Sequence, residues 1–123
     1  MDNIERIKAN AEIVIKTFSE NNDVNLGYDE ESVVWIDGYI ERNREKWNEA
    51  TIESLSSVLG SFLGECIRRN FGGEWEMTEY GLAIAFSGGN AAYPFNKINK
   101  QIQNGSDDSI AGFYNSISIF FNQ

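Results

Sequence analysis

The side chains that carry most enzymatic chemistry are nearly absent from this sequence. No histidine occurs among its 123 residues, which removes the commonest general base and the commonest metal ligand. Serine–histidine and cysteine–histidine machinery is therefore excluded. Cys66 is the single thiol, and it falls on an apolar helical stripe, where cysteine behaves as a small hydrophobe. A zinc site needs several thiolates or imidazoles, so no metal and no other cofactor is expected.

What remains is carboxylate chemistry, in which two acids with different environments act as acid and base. Glu65 is the candidate, because it sits among Leu63, Gly64, Cys66 and Ile67, and Trp75 follows on the next element. The competing reading pairs Glu65 with Arg68 or Arg69 at i+3 or i+4, which requires no function. Two further ligand-binding candidates come from the C-terminal half. Asn90 ends the turn Ser87-Gly88-Gly89-Asn90, which invites comparison with phosphate-binding loops but lacks their signature. Lys97 joins Arg68, Arg69 and Lys100 as the only bases after residue 50. Convergent, these four form a cationic patch; scattered, they are solvated side chains. Asn104, Ser106 and Asp108 have the oxygen spacing of a calcium loop without its acids, glycine or terminal glutamate, so they read as a helix cap.

Charge narrows the partners. Ten basic side chains face nineteen acidic ones, for a formal net charge of −9, a field that repels nucleic-acid phosphates and anionic lipid surfaces. Residues 1–50 hold 6 bases and 12 acids, against 4 and 7 in the remainder. Between Glu20 and Glu31 lie five acids and no base. One reading is a solvated loop and helix start, since acids favour helix N-termini. The other makes Asp23, Asp29, Glu30 and Glu31 a recognition surface for a basic protein. No apolar run reaches the ~20 residues of a membrane helix, and the N-terminus lacks the charge pattern of a signal peptide. With one cysteine, the expectation is a cytoplasmic protein.

The elements that must position these residues follow from periodicity. Ile4, Ile7, Ala11, Val14 and Phe18 predict an amphipathic helix over about 2–20. Val33, Ile36, Ile40 and Trp47 predict a second, in which Gly38 either costs stability or marks close packing. Ile52, Leu55, Leu59, Phe62, Leu63, Cys66 and Ile67 predict a central helix, with Asn48 or Thr51 as its cap. On its other side Ser56, Gly60 and Gly64 form a small-residue stripe, suited to close packing or to a second copy of the chain. Gly72-Gly73 ends that helix. Two period-2 runs, with Trp75 and Met77 pointing inward on one and Leu82, Ile84 and Phe86 on the other, predict an antiparallel hairpin. Asn90–Tyr93 adds a short third strand. Pro94 opens a helix striped by Phe95, Ile98 and Ile102, with Lys97 and Lys100 facing away. Ile110 to Phe121 fit a last helix, although Ser116-Ile117-Ser118-Ile119 alternates like a strand.

The run Leu59-Gly60-Ser61-Phe62-Leu63-Gly64-Glu65, then Gly72-Gly73-Glu74-Trp75, Pro94-Phe95-Asn96-Lys97 and Asn104-Gly105-Ser106-Asp107-Asp108-Ser109, resembles a pattern found in uncharacterised small bacterial proteins. That resemblance implies a bacterial, cytoplasmic origin and supplies no substrate or catalytic residue. In size and acidity the chain also resembles immunity proteins, which neutralise toxins by binding them; no motif carries this second likeness. The expectation is one α+β domain over 1–123: two N-terminal helices and a central helix packed with a small antiparallel sheet, then two short C-terminal helices. Its expected function is non-catalytic binding, immunity- or inhibitor-like, of a basic partner. The alternatives are a carboxylate-dependent enzyme or small-ligand binder near Glu65 and Trp75, and a structural homodimer.

Overall fold

In the computed structural model, which describes residues 2–120, each of the three N-terminal helices starts on a short polar side chain. Asp2 accepts the Glu5 N–H at 2.8 Å to open α1 (Asn3–Asn22). Asp29 accepts the Ser32 N–H at 2.8 Å to open α2 (Glu30–Asn43). Asn48, rather than Thr51, accepts the Thr51 N–H at 2.9 Å to open α3 (Glu49–Phe71). Caps of this kind stabilise a helix by about 1 kcal/mol each. The helix α3 ends at Gly72, whose φ of 86° suits a residue without a Cβ. An antiparallel sheet follows, with β1 (Glu74–Thr78), β2 (Gly81–Ala85) and β3 (Ala91–Ala92) in that spatial order. Pro94 then opens α4 (Pro94–Asn104), and after a 3-10 turn over Gly105–Asp108 comes α5 (Ile110–Phe120).

The architecture is the α+β arrangement that the sequence predicts, with α3 at its centre. Every residue of α3 from Leu59 to Ile67 is buried, because α1 lies along one side and α4 along another. The small stripe explains how α4 approaches so closely. A methyl group on Gly60 would overlap the Phe95 ring, and one on Gly64 would overlap the Trp75 ring. Ser56 donates to Asn99 Oδ1 at 2.6 Å. The stripe is thus filled by this chain's own α4 and Trp75. No helix among the described residues is long and apolar enough to cross a membrane.

Several expectations need correction. Trp47 is not part of the second helix: the chain leaves α2 at Asn43, where the Asn43 amide takes the Tyr39 carbonyl at 2.8 Å, a bond that competes with helix continuation. Trp47 is extended after a 3-10 turn, and its ring rejoins the fold against Tyr39 with centroids 5.7 Å apart. Met77 shares the strand face of buried Trp75 yet is 65% exposed. It lies about 6–7 Å further along the strand, beyond the helices that cover Trp75. The contact that Lys97 makes was not foreseen: its ammonium stands 4.8 Å from the Phe113 ring centroid. Gly38 is not a site of tight backbone packing, because a Cβ there would meet only the guanidinium end of Arg42. The final segment resolves as helix, with Ile110, Tyr114 and Ile117 buried. Phe121 lies outside the described residues, and of Phe120 only the backbone is described.

Candidate functional site

Glu65 is fully buried on α3, one residue after the glycine on which the Trp75 ring rests. A bare carboxylate would be strongly disfavoured there, so its donors decide its state. Arg68 Nε donates to Oε2 at 2.8 Å and Arg68 Nη2 to Oε1 at 3.0 Å. Arg69 Nε donates to Oε1 at 3.2 Å, and the Trp75 indole N–H to Oε2 at 2.9 Å. Burial pushes the carboxyl pKa up, but the bonds from Arg68, Trp75 and Arg69 outweigh it and bring the value down to about 2. Helical spacing brings both arginines to one carboxylate, while β1 delivers the indole from the other side. Four donors occupy the two oxygens, which leaves little for a substrate. The depression beside Trp75, lined by Ile4, Lys8, Arg68, Glu74 and Trp75, measures about 90 Å³, about three waters' share of liquid volume.

The four ligand-binding candidates do not gather at one place. Glu65 and Trp75 are joined directly, as above. Asn90 is exposed and lines a groove of about 550 Å³ beside the hairpin, with Glu76, Tyr80 and Tyr93. Lys97 lines a separate depression of about 350 Å³ with Asp107, Asp108 and Phe113. Arg68 and Arg69 are committed to Glu65, and the Arg69 guanidinium also lies 3.8 Å from the Tyr28 ring centroid. Cys66 is fully buried, and desolvation raises its thiol pKa well above the ordinary range. Among the described residues, no cluster of three or more carboxylate, thiol or imidazole side chains is placed to hold a metal ion.

The acidic segment joins α1 to the start of α2. Glu20, Asp23, Asp29, Glu30 and Glu31 are all exposed. Asp23 closes α1 in a left-handed conformation with φ 53°, which Asp and Asn tolerate better than most residues. Asp29 is the α2 cap, and Glu30 and Glu31 occupy its first turn, where the helix dipole favours negative charge. Among the described residues, none of these five acids has a cationic partner within 4.0 Å; the ion pairs there are Arg44 with Glu41 and Glu45, and Arg68 and Arg69 with Glu65.

A buried polar junction escapes sequence reasoning altogether. Gln101, fully buried on α4, accepts the Ile110 N–H at 2.8 Å and donates to Asp37 Oδ1 at 3.1 Å and Glu41 Oε2 at 2.9 Å. Asp37 in turn accepts from the Ser109 hydroxyl and from the Ala111 N–H. Its carboxylate therefore serves the N-terminus of α5 from a distant helix. Arg44 does the reverse for α4, donating to the carbonyls of Ile102 and Gln103 at 3.0 and 3.4 Å. Apart from the Gln101–Ile110 bond, which spans 9 residues, these contacts span 58 to 74 residues, so no local spacing signals them. They lock α2, α4 and α5 together, and among the described residues no buried side-chain nitrogen or oxygen lacks a hydrogen-bond partner.

Comparison with known proteins adds no activity to this geometry: no protein-family model, no curated protein and no solved structure matches the chain.

Proposed function

We propose that this chain is a non-catalytic binding protein for a basic protein partner, acting in the manner of an immunity protein or inhibitor within the cytoplasm. The observation that carries this reading is the contrast between its buried and its exposed acids. Glu65, the one fully buried carboxylate among the described residues, is neutralised by two arginines. The five acids from Glu20 to Glu31 are exposed and, among the described residues, without an ion pair, in a protein of net charge −9. Such uncompensated charge accelerates encounter with an opposite surface and disfavours nucleic acids and anionic membranes. The carboxylate-enzyme alternative draws less support, since the oxygens of Glu65 are occupied and the space beside Trp75 is small. A dimer through Ser56, Gly60 and Gly64 would have to displace α4 and Trp75.

Affinity capture from cells that make the protein tests this reading, with the wild type and Asp23→Asn/Asp29→Asn/Glu30→Gln/Glu31→Gln as paired baits. Asparagine retains the cap at position 29 and tolerates the left-handed backbone at 23, so the quadruple variant keeps its fold. A basic protein bound stoichiometrically by the wild type and depleted on the variant is the expected result. Equal recovery on both baits, or recovery of no basic protein, would overturn the reading.

A further inference from the structure

The outer face of the sheet carries a second anionic feature, remote in sequence from residues 20–31. Strand alternation turns Trp75, Ile84 and Ala92 toward the helices, and Glu76, Ala83, Ala85 and Ala91 to the opposite face. The Tyr93 phenol reaches from the end of β3 to the Thr78 hydroxyl on β1, 3.2 Å away. That path crosses β2 and accounts for the complete burial of Ala83. Beside it the small side chains of Ala85 and Ala91 leave a groove of about 550 Å³, bordered by Tyr80, Phe86 and Tyr93 and by Glu76 and Glu79. No lysine or arginine lines it. Among the described residues, neither glutamate has an ion-pair partner within 4.0 Å. Tyr80 at the hairpin tip is 78% exposed, so burial in the core does not explain its ring.

We propose that this groove receives a lysine or arginine side chain of the basic partner, its cation held between aromatic rings and the carboxylates of Glu76 and Glu79. The inference rests on the basic-partner reading and adds to it a place of contact. Each part of the groove has a use for such a guest. Aromatic faces attract a cation through their quadrupole, and Tyr80 and Tyr93 supply two of them. Two unpaired carboxylates complement its charge. The alanine floor admits the alkyl stem, which prefers apolar surface to water. An anionic ligand would meet only repulsion from the two glutamates.

The test uses hexalysine as the probe and its fully acetylated form as the uncharged control, followed by NMR on the methyl groups of Ala85 and Ala91 and the rings of Tyr80 and Tyr93. Hexalysine should shift these resonances saturably, and the acetylated peptide should not. Glu76→Gln/Glu79→Gln and, separately, Tyr80→Ala should each weaken binding at least about fivefold; all three side chains are exposed, so the fold is retained. The Asp23, Asp29, Glu30 and Glu31 quadruple variant should leave the groove's affinity within about twofold, since none of these four residues lines the groove and salt screens charges that are not in contact. Shifts confined to residues 20–31, or binding unchanged by both groove variants, would overturn this inference while leaving the basic-partner reading intact. Groove binding of hexalysine together with no basic partner in the capture experiment would do the opposite.

Discussion

Replacing Glu65 with glutamine should cost this protein a large, pH-dependent part of its stability. A carboxyl held at about 2 in the fold against an ordinary value of 4.5 stabilises the folded state by about 3 kcal/mol at neutral pH. That value is an upper one, because the Arg68 and Arg69 side chains are 24% and 39% exposed and can be hydrated in the variant. The folded-state pKa lies below the unfolded one, so the contribution is complete above about pH 5 and drains as pH falls toward 2. Near pH 3 about half remains. Glu65→Gln keeps the volume but resembles the protonated acid, and it turns an amide toward donors from Arg68, Arg69 and Trp75. Urea unfolding of both proteins at pH 7 and pH 3 should give a gap of about 2–3 kcal/mol at the higher pH and about half as much at the lower. A gap that is absent at pH 7, or equal at the two pH values, would show that Glu65 is not held ionised by these donors.

Further substitutions test the packing around the same helix. Gly64→Ala should lose about 1–3 kcal/mol in urea unfolding, because the added methyl overlaps the Trp75 ring; an unchanged midpoint would mean that α3 and β1 are less closely seated. Gly38→Ala should gain about 0.5–1 kcal/mol, since it removes a helix-interior glycine and meets only the flexible end of Arg42. A loss at this position would show that the Arg42 guanidinium does not yield to the added methyl. Cys66, fully buried with a raised thiol pKa, should label with a thiol reagent only as fast as the fold opens, with urea accelerating the reaction. Immediate stoichiometric labelling in native buffer would contradict its burial.

The parts legible in the sequence were those governed by neighbours along the chain. The stripe from Leu59 to Ile67, the glycines at 72 and 73 and the proline at 94 act within a turn or two, and they gave the helices, the hairpin and their order. The pairing of Glu65 with Arg68 and Arg69 was legible too, because i+3 and i+4 spacing brings such groups together. The third partner, the Trp75 indole, was not, since strand register and helix packing together aim it. Met77 failed for a related reason: alternation specifies a face but not how far the covering helix extends. Asp37, Gln101 and Arg44 stayed hidden because polar groups that serve distant helix ends carry no periodic signature. The small stripe at Ser56, Gly60 and Gly64 announced a close neighbour, but only the fold shows that neighbour to be α4 and Trp75 of the same chain.

The proposal that exposed, unpaired acids recognise a basic protein is tested most directly by association kinetics with the captured partner. The rate constant would be measured for the wild type and the Asp23, Asp29, Glu30 and Glu31 quadruple variant at 0.05 M and 0.5 M salt. The wild-type on-rate should fall at least about tenfold as salt rises, and the variant should start lower and change less, because electrostatic steering raises on-rates by about 10–1000-fold and is screened by salt. Equal on-rates for the two proteins at 0.05 M salt, each insensitive to the increase, would contradict a role for these acids in recognition.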